Sequence, residues 1–380
     1  MPEGVSRENT NFKYYFDSAL VTRIAQQIHR IYPEFDPEKF VQRVTPQLDA
    51  LELKGRVMAI SEGFRHTLPQ EYPTAIGILI NVLTDRLANA EGMFNNNFWV
   101  MPIAQFVEDY GIEHFEASFG AMYEITQHFT SEWAVRPFIQ RYPEQVIAQL
   151  TQWIDDPSEH VRRWISEGTR PRLPWGKRVT VFSDDPTPTL NLLTRLKDDP
   201  SEFVRKSVAN HLNDITKEQP ERILDVLTAW NEHPSPEIRW ITKHALRSLI
   251  KAGHPRALAL VGIDPEQAVN VTAFTLDSEQ VMFGNSISLS VTLHNPHAVP
   301  VDILLDYKVH YVKANGQTSP KVFKWTTRQL QPNETLTLTK KHALKPITTR
   351  VHYPGLHGVE LQINGQVIEH RNYFELLIPR

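Results

Sequence analysis

One short motif recurs along the middle of the 380-residue chain, and it constrains the fold more than any other feature of the sequence. Asp156-Pro-Ser-Glu-His-Val-Arg-Arg returns 43 residues later as Asp199-Pro-Ser-Glu-Phe-Val-Arg-Lys. A third copy, Pro234-Ser-Pro-Glu-Ile-Arg-Trp, follows 34 residues further on, and a weaker copy, Ala134-Val-Arg-Pro-Phe, precedes the first. A unit of this length cannot bury its apolar face alone, so neighbouring copies are expected to stack.

Apolar residues at three- and four-residue steps predict helices throughout the first 264 residues. The predicted helices span Tyr72–Ala88, Ile112–Phe129, Pro143–Ile154, Ser201–Ile215, Pro220–Trp230 and Ser235–Ile250. Helix pairs that open with Asp-Pro and carry a Val-Arg dipeptide at this period indicate an α-solenoid of HEAT-like repeats. Solenoids of this kind are mostly protein-binding scaffolds, so the architecture alone leaves the function open.

After Asp264 the period of the apolar residues changes from helical to two, which is typical of β-strands. Strands are predicted at 287–293, 302–313, 321–327, 335–340 and 358–363, and Asn364-Gly365 predicts a tight hairpin before the last strand. Many short strands with regular turns favour an immunoglobulin-like β-sandwich, here without the paired cysteines of antibody domains. We therefore expect a multidomain chain, α then β, with a solenoid at 1–264 and a sandwich at 265–380.

Composition excludes several kinds of chemistry. The chain has no cysteine, which rules out disulfides, cysteine-based zinc sites and cysteine nucleophiles, and its 16 histidines show no metal-ligand spacing. We expect no metal and no cofactor. No run of about 18 apolar residues predicts a membrane span, and the polar amino terminus does not look like a secretory signal. A monomer in the bacterial cytoplasm, on the nucleoid, is the expectation.

Charge is distributed unevenly along the chain. The net charge is -4, which argues mildly against a polyanionic partner, yet His160 to Arg178 holds six basic residues and a single acid, Glu167. Within this segment lies an insertion, Gly-Thr-Arg-Pro-Arg-Leu-Pro-Trp-Gly-Lys-Arg, that displays Trp175 between a proline and a glycine. An exposed tryptophan stacks well on cations and nucleobases. The alternative is that Trp175 fills a gap left by the insertion.

Aligning the repeats predicts one polar row on the second helices, which normally line the concave side of a solenoid. The row contains Arg163, Lys206 and Trp240, then Glu167, Asn210 and His244, then Arg170, Asn213 and Arg247. Basic edges with amides and aromatics suit a nucleic-acid backbone, although a solvated helix face fits the pattern equally well. The expected DNA contacts are Arg163, Arg170, Arg172, Lys177, Arg178, Lys206, Asn210, Trp240 and Arg247. The arginine of each Val-Arg dipeptide should bond an acid of a neighbouring repeat.

Three segments of the chain form a recognisable pattern when they are taken together. They are Thr130-Ser-Glu-Trp-Ala-Val-Arg-Pro-Phe, Val161-Arg-Arg-Trp-Ile-Ser-Glu-Gly-Thr-Arg-Pro-Arg-Leu-Pro-Trp-Gly and Val208-Ala-Asn-His-Leu-Asn-Asp-Ile. These segments resemble one enzyme family, the alkylation-repair DNA glycosylases of the AlkC/AlkD group, and AlkC most closely. A carboxy-terminal immunoglobulin-like domain is a feature of one AlkC subfamily, so the resemblance covers nearly the whole chain. Matching the motifs implies catalytic roles for Glu132, Glu167, Trp175 and Asp214.

The resemblance implies a monofunctional glycosylase that excises 3-methyladenine and 3-methylcytosine from duplex DNA without enclosing the base in a deep pocket. A base that is already a methylated cation leaves as a neutral molecule, so no strong general acid is needed. Carboxylates near the sugar would stabilise the cation that develops there and orient water. The sandwich is expected to help clasp the DNA. A non-catalytic scaffold and a DNA-structure-binding protein remain as alternatives.

Overall fold

The computed structural model describes residues 12–83, 86–87, 97–264, 267–347 and 350–379. The α-helices are α1 Ser18–Ile31, α2 Pro37–Val44, α3 Leu53–Thr67, α4 Tyr72–Asn81, α5 Met101–Tyr110, α6 Phe115–His128, α7 Arg136–Arg141, α8 Pro143–Gln152, α9 Glu159–Gly168, α10 Thr187–Leu196, α11 Glu202–Ile215, α12 Pro220–Trp230, α13 Pro236–Ala245, α14 Arg247–Ala252 and α15 Pro255–Leu260. Short 3₁₀ helices lie at Phe12–Tyr15, Thr45–Ala50 and Phe98–Val100. Among the described residues, no helix combines the length and the apolar character that a membrane crossing requires.

The strands are β1 Asn270–Leu276, β2 Gln280–Met282, β3 Ser286–His294, β4 Val301–Val312, β5 Thr318–Leu330, β6 Thr335–Ala343, β7 Gly355–Ile363 and β8 Gln366–Leu377. They form a three-stranded sheet in the order β1-β3-β6 and a five-stranded sheet in the order β2-β8-β7-β4-β5. The helices followed by this two-sheet sandwich confirm the predicted fold class. At the predicted hairpin, Asn364 and Gly365 have φ of 48° and 78°, as a type I′ turn requires.

The first two full copies of the motif start their helices in the same way. Asp156 accepts a hydrogen bond from the backbone of Ser158 at 2.8 Å, and Asp199 accepts one from Ser201 at 2.8 Å. These bonds satisfy backbone donors just before α9 and α11, and the valines of the Val-Arg dipeptides are fully buried. The motif therefore sets both where each helix begins and which face it buries.

The arginine of the Val-Arg dipeptide behaves differently in different copies. Arg162 donates from Nε and Nη2 to Asp199 of the next copy at 2.6 and 3.0 Å, which confirms the expected bridge between repeats. The described hydrogen bonds of Arg205 go instead to the carbonyls of Asp199 and Pro200, and that of Arg239 goes to Pro234. For these two arginines the expected acid partner is wrong, because backbone carbonyls at the start of the same helix take its place.

Two predicted helices differ from the observed ones. The predicted helix Ser235–Ile250 is interrupted at Leu246, so that α13 and α14 are separate. The predicted helix Tyr72–Ala88 ends at Asn81, and Ala88 lies outside the described residues. Neither difference changes the repeat pattern.

The chain divides into two compact units, Met1–Gln219 and Pro220–Arg380. The second unit therefore contains α12–α15 together with the sandwich, whereas the division predicted at 264/265 follows the change from helix to strand. The predicted domain roles stay predictions.

Inside the second unit, a close approach of two glycines joins the helices to the sandwich. A Cβ placed on Gly365 would lie 2.1 Å from the Cα of Gly253, and both residues have positive φ. Gln362 donates to the carbonyl of Lys251 at 2.8 Å, and Asn364 donates to that of Asp264 at 3.3 Å. Only glycine fits such a backbone contact, so the helices and the β7–β8 hairpin are packed as one body.

Gly365→Ala should destabilise the second unit by roughly 2–4 kcal/mol, because the new methyl group overlaps backbone that cannot rotate away and the left-handed conformation is strained for alanine. Gly262→Ala is the matched control. Gly262 has φ of 79° but no atom within 4 Å of the added methyl group, so its substitution should cost only about 1 kcal/mol. Urea unfolding of the two variants measures the difference, and equal losses would contradict the close-contact argument.

Candidate active site

Three carboxylates from three successive segments of the first unit lie buried in the repeat region. Glu132 belongs to the turn before α7, Glu167 to the last turn of α9, and Asp214 to the last turn of α11. Their exposed fractions are 4%, 6% and 3%. Carboxylates are almost never buried to this extent without partners, so their contacts define the site.

Arg170 connects two of these carboxylates. Its Nη1 donates to Oε1 of Glu167 at 2.6 Å, and its Nε donates to Oδ2 of Asp214 at 2.9 Å. Lys217 adds a second cation to Asp214, with Nζ 3.0 Å from Oδ1. Because one rigid guanidinium holds both acids, their separation is fixed by a single side chain.

Arg163 makes the corresponding connection on the other side of Glu167. Its Nη1 donates to Oε2 of Glu132 at 2.8 Å, its Nη2 lies 3.6 Å from Oε1 of Glu167, and its guanidinium is 4.6 Å from the ring centre of Phe203. The order Glu132, Arg163, Glu167, Arg170, Asp214 therefore alternates acid and base, and we call it the carboxylate–guanidinium chain. Nearly all of it is withdrawn from solvent.

Arg163 and Arg170, both expected to contact DNA phosphates, have acid partners within the protein. Both guanidiniums are largely buried and engaged by carboxylates. Their described contacts position acids of the site, and contact with DNA stays a prediction for both.

The charges of the carboxylate–guanidinium chain keep Glu167 ionised. Burial alone would raise the pKa of Glu167, but the charges of Arg163 and Arg170 and a 2.6 Å hydrogen bond from the Ser207 hydroxyl more than offset it, so the pKa is lowered. Since the folded-state pKa lies below the unfolded one, the stability gained is present above the ordinary carboxyl range and is lost as the pH falls through the folded value.

A second layer of polar residues lies behind Glu167. Ser207 is within 2.9 Å of the Ser166 hydroxyl, and His211 Nδ1 donates to the Ser166 carbonyl at 3.0 Å. Burial lowers the pKa of His211 to about 4, so its ring is neutral at physiological pH. Sequence reasoning did not identify Ser207 as part of the site. The signal was present in its position one turn before His211, on the face of α11 that meets α9.

The insertion begins at Gly168, the last residue of α9, and its residues 168–178 form what we call the Trp175 loop. The Trp175 side chain is 52% exposed and lies over the Trp133 ring, with centroids 6.3 Å apart and planes 25° from parallel. This exposure rules out the alternative that Trp175 fills a gap in the core. Its φ is 62°, a conformation that a bulky residue seldom adopts and that marks local strain.

The other predicted DNA contacts on the loop are paired with acids of the first unit; Lys177 and Arg178 are exposed, and Arg172 is half-buried. Arg172 and Arg178 both donate to Oε1 of Glu218, at 2.7 and 2.5 Å, and Lys177 lies 3.2 Å from Glu108. Ion pairs of exposed side chains such as Arg178 contribute little to stability.

The remaining predicted contacts lie on three helices. On α11, Lys206 is exposed and Asn210 is half-buried. In the second unit, the Trp240 ring stacks on His244 at 5.0 Å, and Arg247 donates to the His244 carbonyl at 2.6 Å. Within the described ranges, no group of three or more His, Asp or Glu side chains is arranged to hold a metal ion.

Comparison with known proteins agrees with both regions of the chain. Residues 124–249 match the family model described as DNA alkylation repair enzyme, and residues 270–378 match that of the YhaZ C-terminal Ig-like domain. The uncharacterised protein YhaZ of Bacillus subtilis (strain 168) is 37% identical over 94% of this chain and 97% of its own length. The structure of the Pseudomonas fluorescens alkylpurine DNA glycosylase AlkC, bound to DNA containing an abasic site analogue, is 34% identical, with a TM-score of 0.89 over 96% of this chain and 99% of that one.

The first match falls on the helical repeats and the second on the β-sandwich. Together they define a helical-repeat protein of the DNA alkylation-repair class with an added Ig-like domain. Within that class, the chain belongs to the family that includes YhaZ and is similar to AlkC along its whole length. The resemblance inferred from the three sequence segments is confirmed.

If the loop is strained at Trp175, Trp175→Gly should be more stable than Trp175→Ala by about 1 kcal/mol, because glycine adopts a positive φ without steric cost. The exposed Trp240 provides the control, since it lies inside α13 with helical backbone. There the order should reverse, with alanine more stable than glycine by about 1 kcal/mol. Urea unfolding measures the stability of all four variants. The same order of alanine and glycine stability at both positions would refute the strain at Trp175.

Proposed function

We propose that this protein is a monofunctional DNA glycosylase that hydrolyses the N-glycosidic bond of cationic alkylated bases, 3-methyladenine and 3-methylcytosine, in duplex DNA. The observation that carries the proposal is the carboxylate–guanidinium chain, which holds three acids buried and paired next to the loop that displays Trp175. The similarity to AlkC over nearly the whole chain supports the same activity.

The arrangement suits a reaction in which positive charge develops on the sugar. As the C1′–N bond breaks, its electron pair leaves with the base, which departs neutral, and the deoxyribose becomes cationic. Fixed carboxylates stabilise that cation without reorganisation, and one of them can accept a proton from the attacking water. Glu167, at the centre of the chain, is our choice for the residue nearest the sugar, with Glu132 and Asp214 on either side.

A deep pocket for the base is not part of the proposal. The structure has a cavity of about 400 Å³ between α8 and α10, lined by residues including Ile147, Thr151 and Arg195, and it contains none of the proposed site residues. Trp175 instead offers an exposed ring for contact with the lesion or its sugar. Recognition from the backbone side favours bases whose glycosidic bond is already weak.

DNA binding is assigned to the exposed cations of the Trp175 loop, with Lys206, Asn210, Trp240 and Arg247 as further contacts. We propose that the sandwich helps clasp the duplex and that the protein acts as a monomer in the bacterial cytoplasm. No cofactor is required, since water is the only co-reactant of the hydrolysis.

Glu167→Gln should lower the rate of 3-methyladenine release from methylated duplex DNA on the order of 10²–10³-fold, because the amide cannot stabilise the sugar cation. Affinity for DNA that contains an abasic-site analogue should stay near the parental value. Glu113→Gln, which removes an exposed carboxylate paired with Arg141, is the control and should release base at the parental rate.

Two results would refute the assignment. If Glu167→Gln, Glu132→Gln and Asp214→Asn all release base at the parental rate, these carboxylates are not the active site. Absence of base release by the parent protein, with DNA binding intact, would favour the DNA-structure-binding alternative, and absence of both would favour a scaffold.

Replacing Arg172 and Arg178 together by Gln should reduce the slope of log affinity against log salt by roughly two, if each contacts one phosphate. The double variant Arg141→Gln/Arg195→Gln provides the control, because both arginines are exposed and paired with acids but lie outside the loop. Fluorescence anisotropy with a labelled duplex at several salt concentrations measures both slopes. Equal slopes in the two double variants would place the phosphate contacts elsewhere.

A further inference from the structure

Arg136, at the first position of α7, is almost completely buried and donates to the backbone of the Trp175 loop. Its Nη1 donates to the carbonyls of Gly168 and Arg170 at 3.1 and 2.9 Å, and its Nη2 donates to that of Pro171 at 3.3 Å. Its Nε donates to the carbonyl of Lys177, at the other end of the loop. Four of the five N–H groups of one guanidinium thus hold both ends of the loop.

The acceptors make this contact unusual. Burial lowers the pKa of Arg136 to about 10, with a further contribution from the charge of Arg170, so the side chain remains cationic at neutral pH. A buried cation normally faces a carboxylate, but the described hydrogen bonds of Arg136 all go to loop carbonyls. Beyond Gly168 the loop lacks regular secondary structure, so the carbonyls of Arg170 and Lys177 depend on Arg136 for a donor. The Pro171 carbonyl also accepts a hydrogen bond from the backbone N–H of Val179 at 3.2 Å.

The tip of the loop is attached to the same turn of the protein. Trp133, three residues before Arg136, donates from its indole nitrogen to the Pro174 carbonyl at 3.0 Å, and its ring supports that of Trp175. A Cβ placed on Gly176 would lie only 3.1 Å from Nε of Arg136. The backbone on both sides of Trp175 is therefore fitted to Arg136 and its neighbour.

We infer that Arg136 is a positioning residue that places Trp175 and Arg170 together for base excision. It fixes the loop that carries the exposed ring, and it bonds the backbone of the residue whose side chain joins Glu167 to Asp214. One buried side chain thereby couples the aromatic contact to the carboxylate–guanidinium chain. The role in excision rests on the proposed function, whereas the hold on the loop can be measured without it.

Arg136→Lys keeps the positive charge but places all its donors on one nitrogen, which cannot reach both ends of the loop. Single-turnover base release should fall on the order of 10²-fold, because small misplacements of site groups are costly. Affinity for abasic-site DNA should change far less. Arg162→Lys is the matched control, since Arg162 aligns with Arg136 in the next repeat and bonds Asp199 rather than the loop.

Coupling to Trp175 distinguishes positioning from general damage. If Arg136 acts through the Trp175 ring, its substitution should matter little once the ring is removed. Adding Arg136→Lys to the Trp175→Ala variant should then slow base release by a much smaller factor than Arg136→Lys does in the parent protein. Arg162→Lys should combine with Trp175→Ala multiplicatively. Full multiplicativity of Arg136→Lys with Trp175→Ala would overturn the inference.

Limited trypsinolysis after Lys177 and Arg178 tests the hold on the loop independently of catalysis. Cleavage should be at least several-fold faster in folded Arg136→Lys than in the parent or in Arg162→Lys. Unchanged cleavage would overturn the inference even if base release fell, and faster cleavage would support its structural half even if the parent released no base. If Arg136→Lys does not fold, the Gly176→Ala variant provides the test instead. Its new methyl group presses on the Arg136 side chain, so trypsin should cleave this variant faster than the parent. An unchanged cleavage rate would refute the close fit between Gly176 and Arg136.

Discussion

Burying three carboxylates is possible in this protein only because two guanidiniums lie between them. An isolated buried carboxylate would take up a proton and lose the charge that the proposed chemistry requires. Helix α9 supplies the central acid and Arg163, which lies four residues before Glu167 on the same face of the helix. The loop that follows α9 supplies Arg170, three residues after Glu167. The neighbouring segments supply the outer acids, Glu132 and Asp214. The stacking of the repeats therefore keeps each acid beside its arginine, since a shifted repeat would separate the two.

The Trp175 loop adds to this rigid centre a group that is exposed and locally strained. Its backbone is held by donors from the start of α7 and from the turn before it, while its aromatic ring is half exposed to solvent. Strained conformations persist only where the surroundings determine them fully, and here Arg136 and Trp133 provide that support. The positions of the carboxylates and of the Trp175 ring thus both depend on the residues that hold this loop. This dependence explains why an insertion in one repeat can carry function without loosening the solenoid.

The sequence predicted the repeats, the strands and the exposed tryptophan because each leaves a local pattern: a motif, a period of two, or a ring between proline and glycine. Glu167 was recognisable as the one acid among six bases. The pairing of Arg163 with Glu132 and of Arg170 with Asp214 was not predicted, because these partners lie 31 and 44 residues away and the sequence does not indicate which distant acid a base will meet. Arg136 was harder still to assign. Its acceptors are backbone carbonyls, which every residue possesses, so no residue type indicates them.

The contact between Gly253 and Gly365 has a consequence for how such proteins can be recombined. Because the backbone of the β7–β8 hairpin touches that of the segment after α14, the hairpin is fitted to the end of that helix. An exchange of sandwiches between relatives at the change from helix to strand would separate Gly365 from Gly253 and Gln362 from Lys251. An exchange that carries α12–α15 along with the sandwich keeps them together. The unit that can be exchanged between relatives is therefore larger than the Ig-like domain, and its boundary lies within the helical repeats.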